Sequence, residues 1–98
     1  MPAYVVAHVE VTDPVGYAEY RSLVLDTLTA FGGRFLVRGP NPEVLEGSWD
    51  PKRLVIVEFP DAEHARQWWS SPEYAAAKAI RQATSVSTLV LLEGVSPS

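Results

Sequence analysis

The chain has 98 residues, a formal net charge of −4 and no cysteine, so it has room for one domain and cannot use disulfides or a thiolate nucleophile. Its hydrophobic fraction of 47% excludes the composition of a disordered chain. Because no basic run is present, the main attraction in nonspecific nucleic-acid binding is missing, and we expect no nucleic-acid partner. We predict one domain over residues 1–95 and a disordered tail over residues 96–98.

The first predicted elements are a strand and a helix. Alternating β-formers over residues 4–11 predict strand 1. Asp13 can cap a helix that Pro14 begins, because aspartate accepts bonds from free amides and proline suits the first position. Apolar side chains then recur at three- and four-residue spacing up to Phe31, and Gly32-Gly33 ends the helix.

The middle of the chain reads as two strands joined by a loop. Residues 34–38 predict strand 2, which the segment 39–42 interrupts because proline cannot donate to a ladder. Strand 2 is expected to resume over Val44-Leu45-Glu46. A loop over residues 47–52 then leads to strand 3 over residues 53–59.

Two helical segments and a last strand complete the pattern. Pro60-Asp61 begins helix 2, and Ser71-Pro72 repeats the signal, which predicts a further helical segment over residues 72–82. Residues 84–93 predict strand 4.

This order predicts an α+β fold of the ferredoxin-like βαββαβ type, with a four-stranded antiparallel sheet and helices on one face. Regular alternation assigns the residues of strands 1 to 3 to two faces. The face toward the helices is expected to hold Val5, Ala7, Val9, Val11, Phe35, Val37, Val55, Val57 and Phe59. The open face is expected to hold Tyr4, Val6, His8, Glu10, Arg34, Leu36, Arg38, Leu54, Ile56 and Glu58. The open face is too apolar to be left in water, so we predict a homodimer in which two sheets pack face to face.

Several spaced motifs resemble the bacterial "domain of unknown function 1330" family. They are the segment 9–14 with Tyr17 and Tyr20, the segment 32–39, the segment from 44–49 through Arg53 with residues 58–60, and the Ser71-Pro72-Glu73-Tyr74 segment with Ala77, Lys78 and Arg81. The resemblance implies the dimeric α/β-barrel superfamily. Its relatives include cofactor-free monooxygenases, muconolactone isomerases, chlorite dismutase-like haem proteins and stress-responsive proteins.

Three polar residues assigned to the open face are candidate catalytic residues. His8 titrates near neutrality and suits proton transfer, Arg38 can hold a carboxylate or an enolate, and Glu58 can orient His8 or act as the base. Each also has a structural interpretation: His8 as an interface hydrogen-bond partner, Arg38 as the partner of Glu58 or Glu10, and Glu58 as the other half of that ion pair.

Aromatic side chains are candidate ligand contacts. They are Tyr17, Tyr20, Trp49, Trp68 and Tyr74, which can wall a pocket for a planar ligand or serve as core and interface residues. Arg53 and Arg81 are expected to form salt bridges that tie strand 3 and the last helix.

Cofactors and membranes are not indicated by the sequence. Two histidines without cysteine form a weak metal pattern, so we expect no metal and no cofactor. No segment approaches the about 20 apolar residues that span a bilayer, and we expect a cytoplasmic protein. The first functional hypothesis is a cofactor-free small-molecule enzyme for proton transfer, isomerisation or monooxygenation. Its ligand would be a small carboxylate or aromatic molecule, held between sheet and helices or at the dimer interface. The alternative is a noncatalytic ligand-binding or stress-related homodimer.

Overall fold

The computed structural model describes residues 1–95, so the tail predicted over residues 96–98 lies outside the described part. The elements in chain order are β1 (Ala3–Val11), α1 (Pro14–Thr29), β2 (Arg34–Pro40), β3 (Arg53–Phe59), α2 (Ala62–Ser70), α3 (Pro72–Thr84) and β4 (Ser85–Glu93). All neighbouring strands are antiparallel, in the order β2-β3-β1-β4. The predicted βαββαβ fold is confirmed.

Each helix begins where its capping residue predicts. The carboxylate of Asp13 accepts a hydrogen bond from the amide of Gly16, and that of Asp61 from the amide of His64. Ser71 Oγ accepts from the amide of Tyr74. Because Ser71 ends α2 and caps α3, the chain turns sharply there and α3 returns beside α1. No helix within residues 1–95 is long and apolar enough to cross a bilayer.

The core lies between the sheet and the helices. Side chains of alternate residues in β1 and β3 are buried there, from Val5 in β1 to Phe59 in β3. Leu28 of α1 and Tyr74 of α3 are fully buried against them. Alternation therefore predicts the covered face of these two strands correctly.

The predicted course of strand 2 is wrong in two respects. Strand β2 continues through Pro40, which lies in an edge strand where a missing amide donor is tolerated. The segment Val44-Leu45-Glu46 is not a strand but part of the loop between β2 and β3. Asn41 stands at the turn, with a φ of 58° that ends the strand.

A β-bulge in β2 reverses the facing of two residues. Phe35 pairs with Val57, Val37 with Ile56, and Arg38 with Val55, so Leu36 is an extra residue in the ladder. Arg38 therefore lies on the covered face, and Val37 lies on the open face with 42% of its surface exposed. The predicted placement of these two residues is wrong because regular alternation holds only where no residue is inserted.

Candidate functional site

A cleft opens between the sheet and the helices, on the covered face. Its empty space is about 610 Å³, a volume that includes open solvent at the mouth. The residues that line it come from β1, α1, β2, β3, α2, α3 and β4. Aliphatic side chains of the strands form the floor, and aromatic and cationic side chains form the walls.

Four arginines line this cleft. Arg38 and Arg53 come from the adjacent strands β2 and β3, while Arg21 comes from α1 and Arg81 from α3. They are half of the eight basic residues in a chain whose net charge is −4. Within residues 1–95, no aspartate or glutamate lines the cleft, and none forms a salt bridge with these four arginines. The cleft is therefore a concentrated region of positive charge.

The four guanidinium groups lie at different depths. Arg21 and Arg38 are exposed at the mouth, Arg53 is partly buried, and Arg81 is buried with 4% of its surface exposed. The guanidinium carbon of Arg38 lies 3.7 Å from the centroid of the Phe35 ring, a cation–π contact that fixes its direction. A molecule entering the cleft meets positive charge at the entrance and again at the bottom.

Arg53 carries an unsatisfied buried donor. Its Nε is buried and has no hydrogen-bond partner within residues 1–95. Leaving such a donor unpaired costs about 1–3 kcal/mol, and more for a charged group. Any acceptor that reaches this atom removes the cost, so Arg53 is the arginine of the cleft that gains most from a new hydrogen-bond partner.

Three tyrosines lie beside the arginines. Burial raises the pKa of Tyr17, although Arg53, Arg81 and Arg21 partly oppose that rise. Burial also raises the pKa of Tyr20, and the neighbouring Tyr74 raises it further. Tyr20 and Tyr17 therefore remain protonated near neutral pH and act as neutral hydrogen-bonding groups.

The predicted aromatic ligand contacts divide into three groups. Tyr17, Tyr20 and Trp68 line the cleft. Tyr74 lies behind them, fully buried, with its ring centroid 4.0 Å from that of Trp68. Trp49 lies elsewhere, in the loop between β2 and β3.

The predicted grouping of His8, Arg38 and Glu58 is wrong because the bulge moves Arg38 to the covered face. His8 and Glu58 remain on the open face. His8 pairs with Leu54, four residues from Glu58 along β3, which separates their backbones by roughly 13 Å. The catalytic roles of these residues stay predictions.

On the open face, both residues have structural partners. His8 Nε2 accepts a hydrogen bond from the amide of Lys52 at 3.0 Å, and its ring centroid lies 5.3 Å from that of Trp49. Glu58 binds Arg34, with 2.7 Å between carboxylate and guanidinium. His8 thus anchors the loop that carries Trp49, and Glu58 neutralises its neighbour.

Sequence reasoning missed part of the arginine set. Arg53 and Arg81 were expected in salt bridges, yet neither forms one with an acidic side chain within residues 1–95. Arg21 was not singled out, although it follows the buried Tyr17 by four residues and so shares its helix face. Within the described part of the chain, no three His, Asp or Glu side chains are grouped so as to hold a metal ion.

Comparison with solved structures places this architecture among known folds. A protein of unknown function from Rhodopseudomonas palustris is 22% identical, with a TM-score of 0.79 over 98% of this chain and 84% of its own. SnoaB of Streptomyces nogalater, described as a cofactor-independent oxygenase, is 15% identical, with a TM-score of 0.70 over 98% and 95%. A dimeric ferredoxin-like protein of unknown function from Jannaschia sp. CCS1 is 16% identical, with a TM-score of 0.73 over 96% and 100%.

These likenesses, all below 25% identity, establish a shared fold. No curated protein matches the sequence. The family described as "Domain of unknown function (DUF1330)" matches residues 2–95, as the spaced motifs predict, and the chain belongs to this DUF1330 family.

Proposed function

We propose that this protein is a cofactor-free enzyme that binds a small carboxylate in the arginine-lined cleft and stabilises negative charge on it. The observation that carries the proposal is the set of four arginines without an acidic partner among residues 1–95. Cations gathered at this density repel one another, so an anion that enters the cleft relieves an existing electrostatic cost.

The chemistry of arginine favours a planar oxyanion. Each guanidinium presents its donors in a fixed fork that matches the two oxygens of a carboxylate. Arg38 and Arg53 lie diagonally on adjacent strands, with their backbones roughly 7–8 Å apart. Two such forks can hold a carboxylate and a second charged oxygen of the same molecule.

The proposed reaction is one in which negative charge develops on the bound molecule. Water at the open mouth takes the proton from the carbon next to a carbonyl, which leaves an enolate, and fixed cations in the cleft stabilise that anion more than they stabilise the neutral ketone. Isomerisation and cofactor-free oxygenation both pass through such anions. SnoaB supports this class because it has the same fold and is described as a cofactor-independent oxygenase.

The binding step is tested by thermal shift and calorimetry with small carboxylic acids and their methyl esters. We expect the acids to stabilise the protein and the uncharged esters to have little effect. Arg53→Gln should weaken binding of an acid about tenfold or more, because a hydrogen bond to a charged group is worth about 1.5–3 kcal/mol. Arg66→Gln is the matched control, since Arg66 is exposed on α2 and does not line the cleft. Equal stabilisation by esters, or equal loss in both variants, would contradict the proposal.

A noncatalytic ligand-binding module is the alternative. NMR in heavy water distinguishes the enzyme from the noncatalytic module. It measures deuterium exchange at the carbon beside the carbonyl of a bound keto acid. Exchange that is faster with the protein than with Arg53→Gln supports an enzyme. Binding without any accelerated exchange or turnover supports the noncatalytic module.

We also propose that the chain forms a homodimer through the open sheet face. Large apolar side chains there are exposed in the single chain: Leu36, Val37, Val86, Val90 and Leu92. The exposed Trp49 lies beside them, against His8. The half-buried Val6 and Ile56 lie between the two outer strands, β2 and β4. An apolar surface across a sheet face indicates a protein interface, and the Jannaschia protein of the same fold is described as dimeric.

A further inference from the structure

A chain of hydrogen bonds runs from α3 to the wall of the cleft. Arg81 Nε donates to the hydroxyl of Tyr74 at 3.2 Å. The hydroxyl of Tyr74 lies 3.1 Å from the hydroxyl of Tyr20. Tyr74 is fully buried and does not line the cleft, whereas Tyr20 does. The three groups therefore connect a buried cation with the ligand space.

The hydrogens of this chain have two possible arrangements, and each leaves one hydroxyl hydrogen without a partner within residues 1–95. The guanidinium can only donate, so the oxygen of Tyr74 accepts from Arg81. The Tyr74 hydrogen then needs an acceptor, and Tyr20 is its only hydroxyl partner within residues 1–95. When a ligand in the cleft can accept the hydrogen of Tyr20, the arrangement that leaves the Tyr74 hydrogen unpaired is disfavoured by roughly 5- to 150-fold. With a ligand acceptor in the cleft, Tyr74 donates to Tyr20 and Tyr20 donates to the ligand, because Tyr20 lines the cleft and Tyr74 does not.

We propose that the Tyr20 hydroxyl is the neutral hydrogen-bond donor of the cleft, and that Tyr74 and Arg81 are positioning residues that turn it toward the ligand. The inference rests on the proposed carboxylate site, and it narrows the ligand to an organic acid with an acceptor oxygen beside its carboxylate, the 2-oxo acid class. The guanidinium of Arg81 and the hydroxyl of Tyr20 both contact the same oxygen of Tyr74. A cation and a neutral donor are thus neighbours, which matches a carboxylate and an adjacent ketone.

The environment of Tyr20 supports a donor rather than a base. Its side chain is buried, and burial is the largest cause that raises its pKa. Arg81 opposes that rise but does not outweigh it. Tyr20 therefore keeps its proton across the neutral range and can hold the ketone oxygen of a ligand, where negative charge gathers when an enolate forms.

The test compares two acids that differ in one oxygen. Benzoylformate carries a ketone beside its carboxylate, and phenylacetate has a methylene group in that place. By calorimetry, we expect the wild type to bind benzoylformate about tenfold more tightly than phenylacetate. Tyr20→Phe should remove this preference and leave phenylacetate binding unchanged, which also shows that the variant is folded. Tyr74→Phe should reduce the preference in part, because Tyr20 keeps its hydroxyl but loses its orientation.

The control is Tyr4→Phe, which removes a hydroxyl from the open face, and it should leave both affinities unchanged. A preference that persists in Tyr20→Phe would overturn the inference while leaving the proposed carboxylate site intact. Equal affinity of the wild type for both acids would also overturn the inference about Tyr20 and leave the proposed carboxylate site intact. If neither acid binds to the wild type at millimolar concentration, both the inference and the proposed function fail.

Discussion

The covered and open faces of the sheet differ in whether their charged side chains have partners within the described chain. On the open face, Arg34 is paired with Glu58, and His8 is bound to the amide of Lys52. On the covered face, Arg38 and Arg53 have no acidic partner within residues 1–95. Charged groups that have a partner within the chain can pack against another surface. Charged groups that line a cleft and have no such partner can bind the proposed ligand.

The largest effect is expected from a charge placed on the open face. Val90→Asp should convert the proposed dimer to a monomer, because an unpaired charge at a buried interface costs roughly 3–5 kcal/mol. Light scattering after size exclusion measures the mass directly. Val15→Asp is the control, since Val15 is 85% exposed on α1. A monomeric wild type, or an unchanged mass for Val90→Asp, would contradict a dimer through this face.

A matched pair of leucines compares the burial of the two faces. Leu28 is fully buried between α1 and the sheet, while Leu92 on the open face is 53% exposed. Leu28→Ala should lower the free energy of unfolding by about 2–5 kcal/mol at any protein concentration. Leu92→Ala should cost less in the monomer, with a loss that grows with concentration as dimers form. Urea denaturation at two concentrations measures both, and equal, concentration-independent losses would show that the faces do not differ in this way.

The start of α3 sharpens the comparison, because that helix brings Tyr74 and Arg81 to the covered face. Ser71→Ala removes the cap that accepts from the amide of Tyr74 and should cost about 1 kcal/mol. Ser70→Ala is the matched control, because Ser70 is exposed and its hydroxyl only donates a hydrogen bond to the carbonyl of Arg66. Thermal unfolding should separate the two variants. Identical midpoints would mean that the cap does not fix the helix.

The smallest effect is expected from the ion pair of the open face. In the monomer, at low protein concentration, Arg34→Ala should change the unfolding free energy by about 0.2–1 kcal/mol, because the Arg34 side chain is 70% exposed in the single chain and screened by water. A double-mutant cycle with Glu58→Gln isolates the pair. A coupling well above this range would show that the pair is buried in the assembly.

The fold could be predicted because its signals are local. Asp13 and Ser71 mark helix starts through contacts within three residues, and the alternation in β1 and β3 follows directly from the geometry of a strand. The site could be predicted only in part. The aromatic pattern singles out Tyr17, Tyr20 and Trp68, which line the cleft, while their contact with a ligand stays a prediction.

The rest depends on one inserted residue and on long-range pairing. The bulge at Leu36 has no glycine or proline to mark it, and it exchanges the faces of Val37 and Arg38. Arg53 and Arg81 lack acidic partners within residues 1–95 because of the way in which the strands and helices pack. The spacing of residues along the chain does not predict that packing. Val44 is a residue type that favours strands, yet it lies in a loop because β2 ends at Pro40 and the chain turns at Asn41.

The central claim is that the covered face holds the ligand through its unpaired arginines, and NMR of the arginine Nε–H groups tests it most directly. On addition of benzoylformate, we expect the Nε–H resonance of Arg53 to shift as its buried donor gains an acceptor, while that of Arg34 on the open face stays in place. Shifts confined to Arg34, or no shift at Arg53 when the acid is bound, would contradict the account.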